Sequence, residues 1–273
     1  VLRLTCGLRS FFLRLFSLVS SSIIFHGGLL SYALLIAQNP RSWRFINEGY
    51  GIAARHKRAS RFWAAHLELS KSFIVKCLSE LAPESITVMG SGALLDFPLL
   101  TELPSSIREI RLIDGNPAYT KLYQSLKLSC ARRNIELHWG ISDIFAIEDT
   151  DLADEVIISL NLISQLALMN PKFNSPAAHH LAQLSATATR AAILIGDQSW
   201  LSYKPNETLW DEEIACPDIV RWEIEGMRQT LHDQWLWHVA PYGIERNDYG
   251  MIHDVHARLF LRGKTDAEEL SRI

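Results

Sequence analysis

Apolar residues along this chain fall into two kinds of run, short stretches of strand length and longer stretches with helical spacing. The short runs at Ile86–Met89, Ile110–Ile113, Val156–Leu160 and Ala191–Ile195 read as buried strands, and Ile135–Trp139 alternates enough to make another. Gly90-Ser91-Gly92 and a helix-compatible segment separate the first two. A connection of that length predicts a parallel pair, because a hairpin needs only a tight turn. Pro117 suits a first helical turn, and the helix it opens is expected to end near Arg133-Asn134. Gly140-Ile141-Ser142-Asp143 reads as a turn, and Asp149, Asp151, Asp154 and Glu155 as a polar linker. A further helix is expected over Ala177–Thr189. Residues 201–235 read as irregular or partly helical. Leu236–Ala240 and Val255–Arg262 then form two β-rich runs, joined by a turn-rich link fit for a hairpin.

Ahead of the first strand, residues 42–82 predict one long helix or a broken pair, with Ile52, Phe62, Leu69, Phe73 and Leu78 on its apolar stripe and Pro83 as its stop. Its basic cluster, Arg55 to Arg61, with Trp63 and His66 beyond, is either a solvated face or a lid presenting Arg58, Trp63 or His66 to a ligand. Residues 15–37 are apolar enough to raise membrane association, but five serines, His26 and Gly27-Gly28 interrupt them. Two short helices packed on the domain are the expectation there, with a membrane anchor or a mis-assigned start as alternatives. The division expected is an N-terminal helical segment, 1–82, and a domain, 83–273.

Composition narrows the function. Net charge is −3, from 27 basic and 30 acidic residues, which disfavours a nucleic-acid binder. Cys6, Cys77, Cys130 and Cys216 lack metal-site or disulfide-framework spacing, and a cytoplasmic home is the simplest reading. There is no phosphate-cradling loop and no nucleophile elbow.

Candidate chemistry clusters at strand ends, where open α/β sheets bind ligands. Gly90, Ser91 and Gly92 allow backbone to approach a ligand. Asp114, at the tip of the second strand, can accept from both hydroxyls of a ribose or cap the segment that follows. Asp143 is a free acid in its loop or plain turn chemistry. Polar groups appear abruptly after the fourth strand at Asn161, Ser164 and Gln165. Trp200 and Tyr203 either wall a pocket or pack in the core.

This order of elements, with VMGSGALLDFPL and IISLNLISQL, resembles the class I S-adenosylmethionine-dependent methyltransferases, and more closely an uncharacterised bacterial group of predicted methyltransferases. The resemblance implies a Rossmann-like, doubly wound α/β fold: a mostly parallel seven-stranded sheet with an antiparallel last strand, preceded by an N-terminal helical segment. It implies S-adenosyl-L-methionine as cofactor, with Gly90, Ser91 and Gly92 at its methionine part, Asp114 at the ribose hydroxyls, Asp143 at the adenine amino group, and Ile144 against the ring. Asn161 falls where the fourth motif places a polar residue facing the substrate. Two departures stand out. The acid usual two residues before the first glycine is replaced by Val88, with Asp96 following the turn instead. The fourth motif also lacks the Pro-Pro-aromatic signature of amino-group methylation on bases and glutamine.

The expected activity is methyl transfer to an unidentified small-molecule nucleophile, with Asn161 or Gln165 orienting it. A non-catalytic nucleotide-binding module and a nicotinamide-dependent oxidoreductase on a related fold are the alternatives. The sequence leaves oligomeric state open.

Overall fold

The computed structural model describes residues 28–146, 154–169, 175–204, 212–215, 222–245 and 247–263. Helix α1, Gly28–Gln38, covers part of the apolar stretch read at 15–37; residues 15–27 lie outside the described residues. It docks on the next helix through Tyr32, which packs with Ile46 and Tyr50 and donates to Asn47 at 3.0 Å. No described helix is long and apolar enough to cross a membrane.

Helix α2, Trp43–Leu81, is a single 39-residue element with a kink at Ala59, where φ is −105° and ψ is 19°. Both expected forms, one helix and a broken pair, are thus partly met. It ends where Ala82 turns left-handed and donates its N–H to Leu78, and Pro83 cannot extend it.

The sheet then builds from β1 (Ser85–Met89), β2 (Glu109–Asp114), β3 (Glu136–Ile141), β4 (Asp154–Leu160), β5 (Ala188–Tyr203), β6 (Glu212–Ala215), β7 (Met227–Ala240) and β8 (Gly250–Arg262). Its order is β3-β2-β1-β4-β5-β8-β7, and β6 pairs with the far end of β5. Strands β1 to β5 are mutually parallel, while β8 runs antiparallel to both β5 and β7. Seven strands on the main path with an antiparallel final strand match the expected fold class. This is not the all-parallel 3-2-1-4-5-6 order of a dinucleotide-binding sheet. Helix α3 (Thr120–Ala131) follows β2, and α4 (Ile163–Met169) and α5 (Pro176–Thr187) lie between β4 and β5.

Three expectations are corrected. The β1–β2 crossover holds no α-helix: a turn at Gly92-Ala93 leads into bends from Leu94 to Phe97, followed by one 3-10 turn at Leu100–Glu102. Pro98 and Pro104 remove backbone donors and push their preceding residues out of helical geometry. The sheet face beside this crossover is covered instead by α2, whose Phe73, Ile74, Leu78 and Leu81 share one core with Ile86, Val88, Ile110 and Leu112. Residues 201–235 also contain more strand than expected: β5 continues to Tyr203, β6 is added, and β7 begins at Met227. Most of β7 before Trp237 is solvent-exposed, as suits an edge strand, so it shows no apolar run. Finally, Gly140 and Ile141 belong to β3, and the turn begins at Ser142.

Candidate functional site

The parallel strands end together, and their carboxyl ends open into a cavity of about 350 Å³ roofed by the first half of α2. The order reverses between β1 and β4, the crevice where doubly wound sheets take ligands. At the end of β1 the chain turns through Gly90, with φ at +71°, and Gly92, with φ at +49°. Gly90 and Ser91 donate their N–H groups to the carbonyl of Ile113, at 2.9 and 3.2 Å, which ties the turn to the tip of β2. A β-carbon on Gly90 would lie 2.6 Å from Leu162 Cγ and 2.7 Å from the Leu160 carbonyl. On Gly92 the nearest atom would be 3.8 Å away, with Asp114 Oδ2 at 4.0 Å. The first glycine is needed for the fold, whereas a β-carbon at the second would meet only ordinary van der Waals contact.

Asp114 is held by two backbone donors: Gly92 N to Oδ2 and Asn116 N to Oδ1, both at 2.8 Å. Burial raises its carboxyl above the ordinary range, and these two donors oppose the shift. Tyr123 braces the turn from below, donating to the Gly92 carbonyl at 2.8 Å and pairing with the Ser91 hydroxyl at 2.8 Å. Asn116, rather than Asp114, caps the turn at Pro117, accepting from Ala118 N at 3.0 Å. Beyond β3, Asp143 lines the cavity and accepts from Phe145 N at 3.2 Å, so its turn role is real. Ile144 beside it is buried at the cavity wall. Val88 is wholly buried in the core under α2.

At the end of β4, Asn161 adopts φ of +50° and donates its amide to Asp96 Oδ2 at 2.6 Å. Its Oδ1 is buried with no partner. Burial pushes the Asp96 carboxyl up to about 6. The crossover that lost its helix therefore delivers this acid to the cavity, where no helix starts. Gln165, on α4, also lines the cavity.

The other half of the cavity was not assembled by reading the sequence. Asp197, in β5, lies with Oδ2 at 2.8 Å from Nδ1 of His253 on β8 and accepts from the Ser164 hydroxyl at 3.0 Å. Burial alone would raise its carboxyl, but His253 and these contacts hold it below the ordinary range. His66, from α2, stacks on Trp237 at 3.9 Å between centroids and accepts from Trp235 Nε1 at 3.1 Å. Burial drops its imidazole to about 3, which keeps it neutral. Trp63 donates to the Val239 carbonyl at 3.1 Å. The rule that selected Asp114, an acid at the carboxyl end of a parallel strand, would also have selected Asp197. His66 was among the lid candidates on α2, whereas Trp237 and His253 sit in no local motif that could have signalled them.

The lid reading of α2 divides. Trp63 and His66 line the cavity, while Arg58 instead forks onto Glu245, with Nε to Oε1 and Nη2 to Oε2 both at 2.8 Å. Tyr203 is not among the cavity-lining residues, and Trp200 is. Among the described residues no group of His, Cys, Asp and Glu is arranged to hold a metal ion.

No protein-family model and no curated protein matches the chain. Solved structures do. A magnesium protoporphyrin IX methyltransferase from Synechocystis, crystallised with bound S-adenosylmethionine, aligns at 13% identity over 81% of this chain and 84% of its own, with a TM-score of 0.43. TehB from Haemophilus influenzae aligns at 11% identity over 70% of this chain and 61% of its own, with a TM-score of 0.48. YcgJ from Bacillus subtilis aligns at 8% identity over 72% of this chain and all of its own, with a TM-score of 0.46. Independently of these likenesses, the strand order and the antiparallel β8 between β5 and β7 define the class I methyltransferase fold.

Proposed function

We propose that this protein binds S-adenosyl-L-methionine and catalyses methyl transfer to a small-molecule nucleophile. The observation that carries the reading is the convergence of the glycine turn, Asp114 and the Asp143-Ile144 pair on one end of the cavity beside the β1/β4 reversal. The residues suit that cofactor. Gly92 lines the cavity with no side chain over its backbone, and Asp114 is a buried acceptor beside it. Six carboxyl-bearing residues line the cavity against one arginine, an environment that favours a cationic ligand.

In this reading Gly90, Ser91 and Gly92 face the methionine portion, Asp114 accepts from the ribose hydroxyls, Asp143 accepts from the adenine amino group, and Ile144 packs on the ring. When bound, the cofactor supplies a methyl carbon activated by its sulfonium. The protein's own work is then alignment and exclusion of water. Asn161 is the orienting residue: Asp96 engages its amide, which turns an unpartnered Oδ1 toward accepting a hydrogen bond from the nucleophilic atom. Gln165 stands beside it as a second polar contact. The N-terminal 1–82 segment contributes the roof, and the 83–273 domain the strand ends.

Isothermal titration with S-adenosylmethionine and S-adenosylhomocysteine tests the reading. Micromolar binding, lost in Asp114→Ala, is the expected result. A folded protein that binds neither compound overturns it.

A further inference from the structure

The half of the cavity beyond Asn161 has features that its role in packing does not account for. Trp237 is boxed by three rings: Trp63 meets it edge-on at 4.8 Å, His66 stacks on it, and His253 meets it edge-on at 5.5 Å. Trp200 stacks over His253 at 5.5 Å. The indoles of Trp63 and Trp235 find acceptors within the protein. Those of Trp237 and Trp200 do not, nor does Oδ1 of Asp197, although all three are buried and belong to residues lining the cavity. Buried polar atoms are normally paired, because an unpaired one costs its full desolvation. Here two donors and one acceptor stand unmatched in one aromatic chamber.

Charge narrows what could match them. The charged groups lining the cavity are Glu48, Asp96, Asp114, Asp143, Asp197 and Glu245, set against Arg55, 3.7 Å from Glu245, and His253, whose Nδ1 lies 2.8 Å from Asp197 Oδ2 and leaves Oδ1 unmatched; Arg58 also engages Glu245, so acidic groups still outnumber basic ones. His66 is held neutral by burial and adds no compensating charge. A carboxylate or phosphate ligand would enter this field unfavourably, whereas aromatic faces and a buried carboxylate attract a cation.

Resting on the methyl-transfer reading above, we infer that the acceptor is a planar aromatic molecule, neutral or cationic, whose ring lies among Trp63, Trp200 and Trp237 and whose hydrogen-bond donor meets Asp197. Anionic aromatics are excluded from this chamber. Asp197 and the tryptophans are thus specificity-determining residues, distinct from the strand-end groups assigned to the cofactor.

The test uses full-length protein saturated with S-adenosylhomocysteine and three probes: tryptamine, indole-3-acetate and cyclohexylmethylamine. Saturation-transfer NMR detects binding and titration calorimetry measures it. Tryptamine is expected to bind about thirtyfold more tightly than indole-3-acetate, the scale of a desolvated cation–aromatic contact, and about tenfold more tightly than cyclohexylmethylamine, the scale of an aromatic pair. Asp197→Asn, an isosteric change, is expected to abolish most of the preference over indole-3-acetate, and Trp237→Ala the preference over cyclohexylmethylamine. Retained S-adenosylhomocysteine binding certifies each variant as folded. Equal or tighter binding of indole-3-acetate overturns the charge argument, and equal binding of cyclohexylmethylamine overturns the aromatic one. A protein that binds S-adenosylhomocysteine but no probe overturns this inference and leaves the methyl-transfer reading standing. Tryptamine binding without S-adenosylhomocysteine binding overturns the methyl-transfer reading, and with it the ring's role as acceptor.

Discussion

Alanine at Gly90 and at Gly92 separates what the glycine turn does for folding from what it does for a ligand. Both residues have positive φ, so either substitution costs about 1–2 kcal/mol for a left-handed alanine. The two positions then diverge. At Gly90 the new methyl would sit 2.6 Å from Leu162 Cγ, 2.8 Å from Leu162 Cδ2 and 2.7 Å from the Leu160 carbonyl. The carbonyl belongs to the end of β4 and cannot swing aside, so overpacking adds about 1–3 kcal/mol. At Gly92 nothing lies closer than 3.8 Å, and no such addition arises. Urea denaturation should therefore show Gly90→Ala less stable by about 2–5 kcal/mol and Gly92→Ala by about 1–2 kcal/mol. Calorimetry of Gly92→Ala should show S-adenosylhomocysteine binding weakened at least about tenfold, because the methyl fills space where backbone is meant to meet ligand. Equal stability losses at the two positions would refute the packing argument. A well-folded Gly92→Ala with unchanged affinity would refute the assignment of that space to the cofactor.

Asp96 predicts a pH dependence. Its carboxyl is raised to about 6 by burial, from an ordinary 3.8, so the native state retains a proton that the unfolded chain releases. The associated stability is present below the unfolded value and is lost as pH rises through the native one. Asp96→Asn should be more stable than the parent near pH 8, by on the order of 1–3 kcal/mol, with the gap closing near pH 4. Thermal melts across that range check it, and a gap that widens toward acid would contradict the sign. The Arg58–Glu245 fork fastens the roof helix α2 to the loop after β7. Arg58→Lys keeps the charge but loses the fork, so S-adenosylhomocysteine should enter and leave several-fold faster with affinity changed by less than about twofold. Stopped-flow tryptophan fluorescence reads both rates, and unchanged rates would mean that α2 need not move.

The half of the cavity proposed for the cofactor was legible because its parts are local. Gly90, Gly92 and Asp114 lie within one strand–turn–strand stretch, and each carries its reason in its residue type. The exit of β4 was legible for the same reason, since polar Asn161 follows a continuous apolar run. In the aromatic half Trp63, His66 and Trp200 were candidates one by one, but their assembly was not legible, because its contacts span the chain: Trp63 to Val239 is 176 residues and His66 to Trp235 is 169. No window of sequence contains such a pair. Of β7 only Leu236–Ala240 was read as strand; Met227–Trp235 was missed for a different reason, namely that this edge segment is mostly exposed and carries no apolar run.

One departure read from the sequence, Val88, and one found in the fold, the missing crossover helix, are best understood as one change. With no helix between β1 and β2, the sheet face there needs another cover, and α2 supplies it by packing Ile74, Leu78 and Leu81 in the same core as Val88. An acid at position 88 would then be buried among apolar side chains, at a cost of several kcal/mol without a partner. Valine is what that environment selects. The negative charge is nevertheless still present at the cavity. Unwound by Pro98 and Pro104, the crossover carries Asp96 to the cavity wall, where the amide of Asn161 meets it at 2.6 Å. The same long helix continues past its kink to place Trp63 and His66 over the far half of the cavity. One element thus replaces a crossover helix, excludes an acid from its usual place, and roofs the site. The departures therefore give no ground for reading the protein as a site that has lost its function.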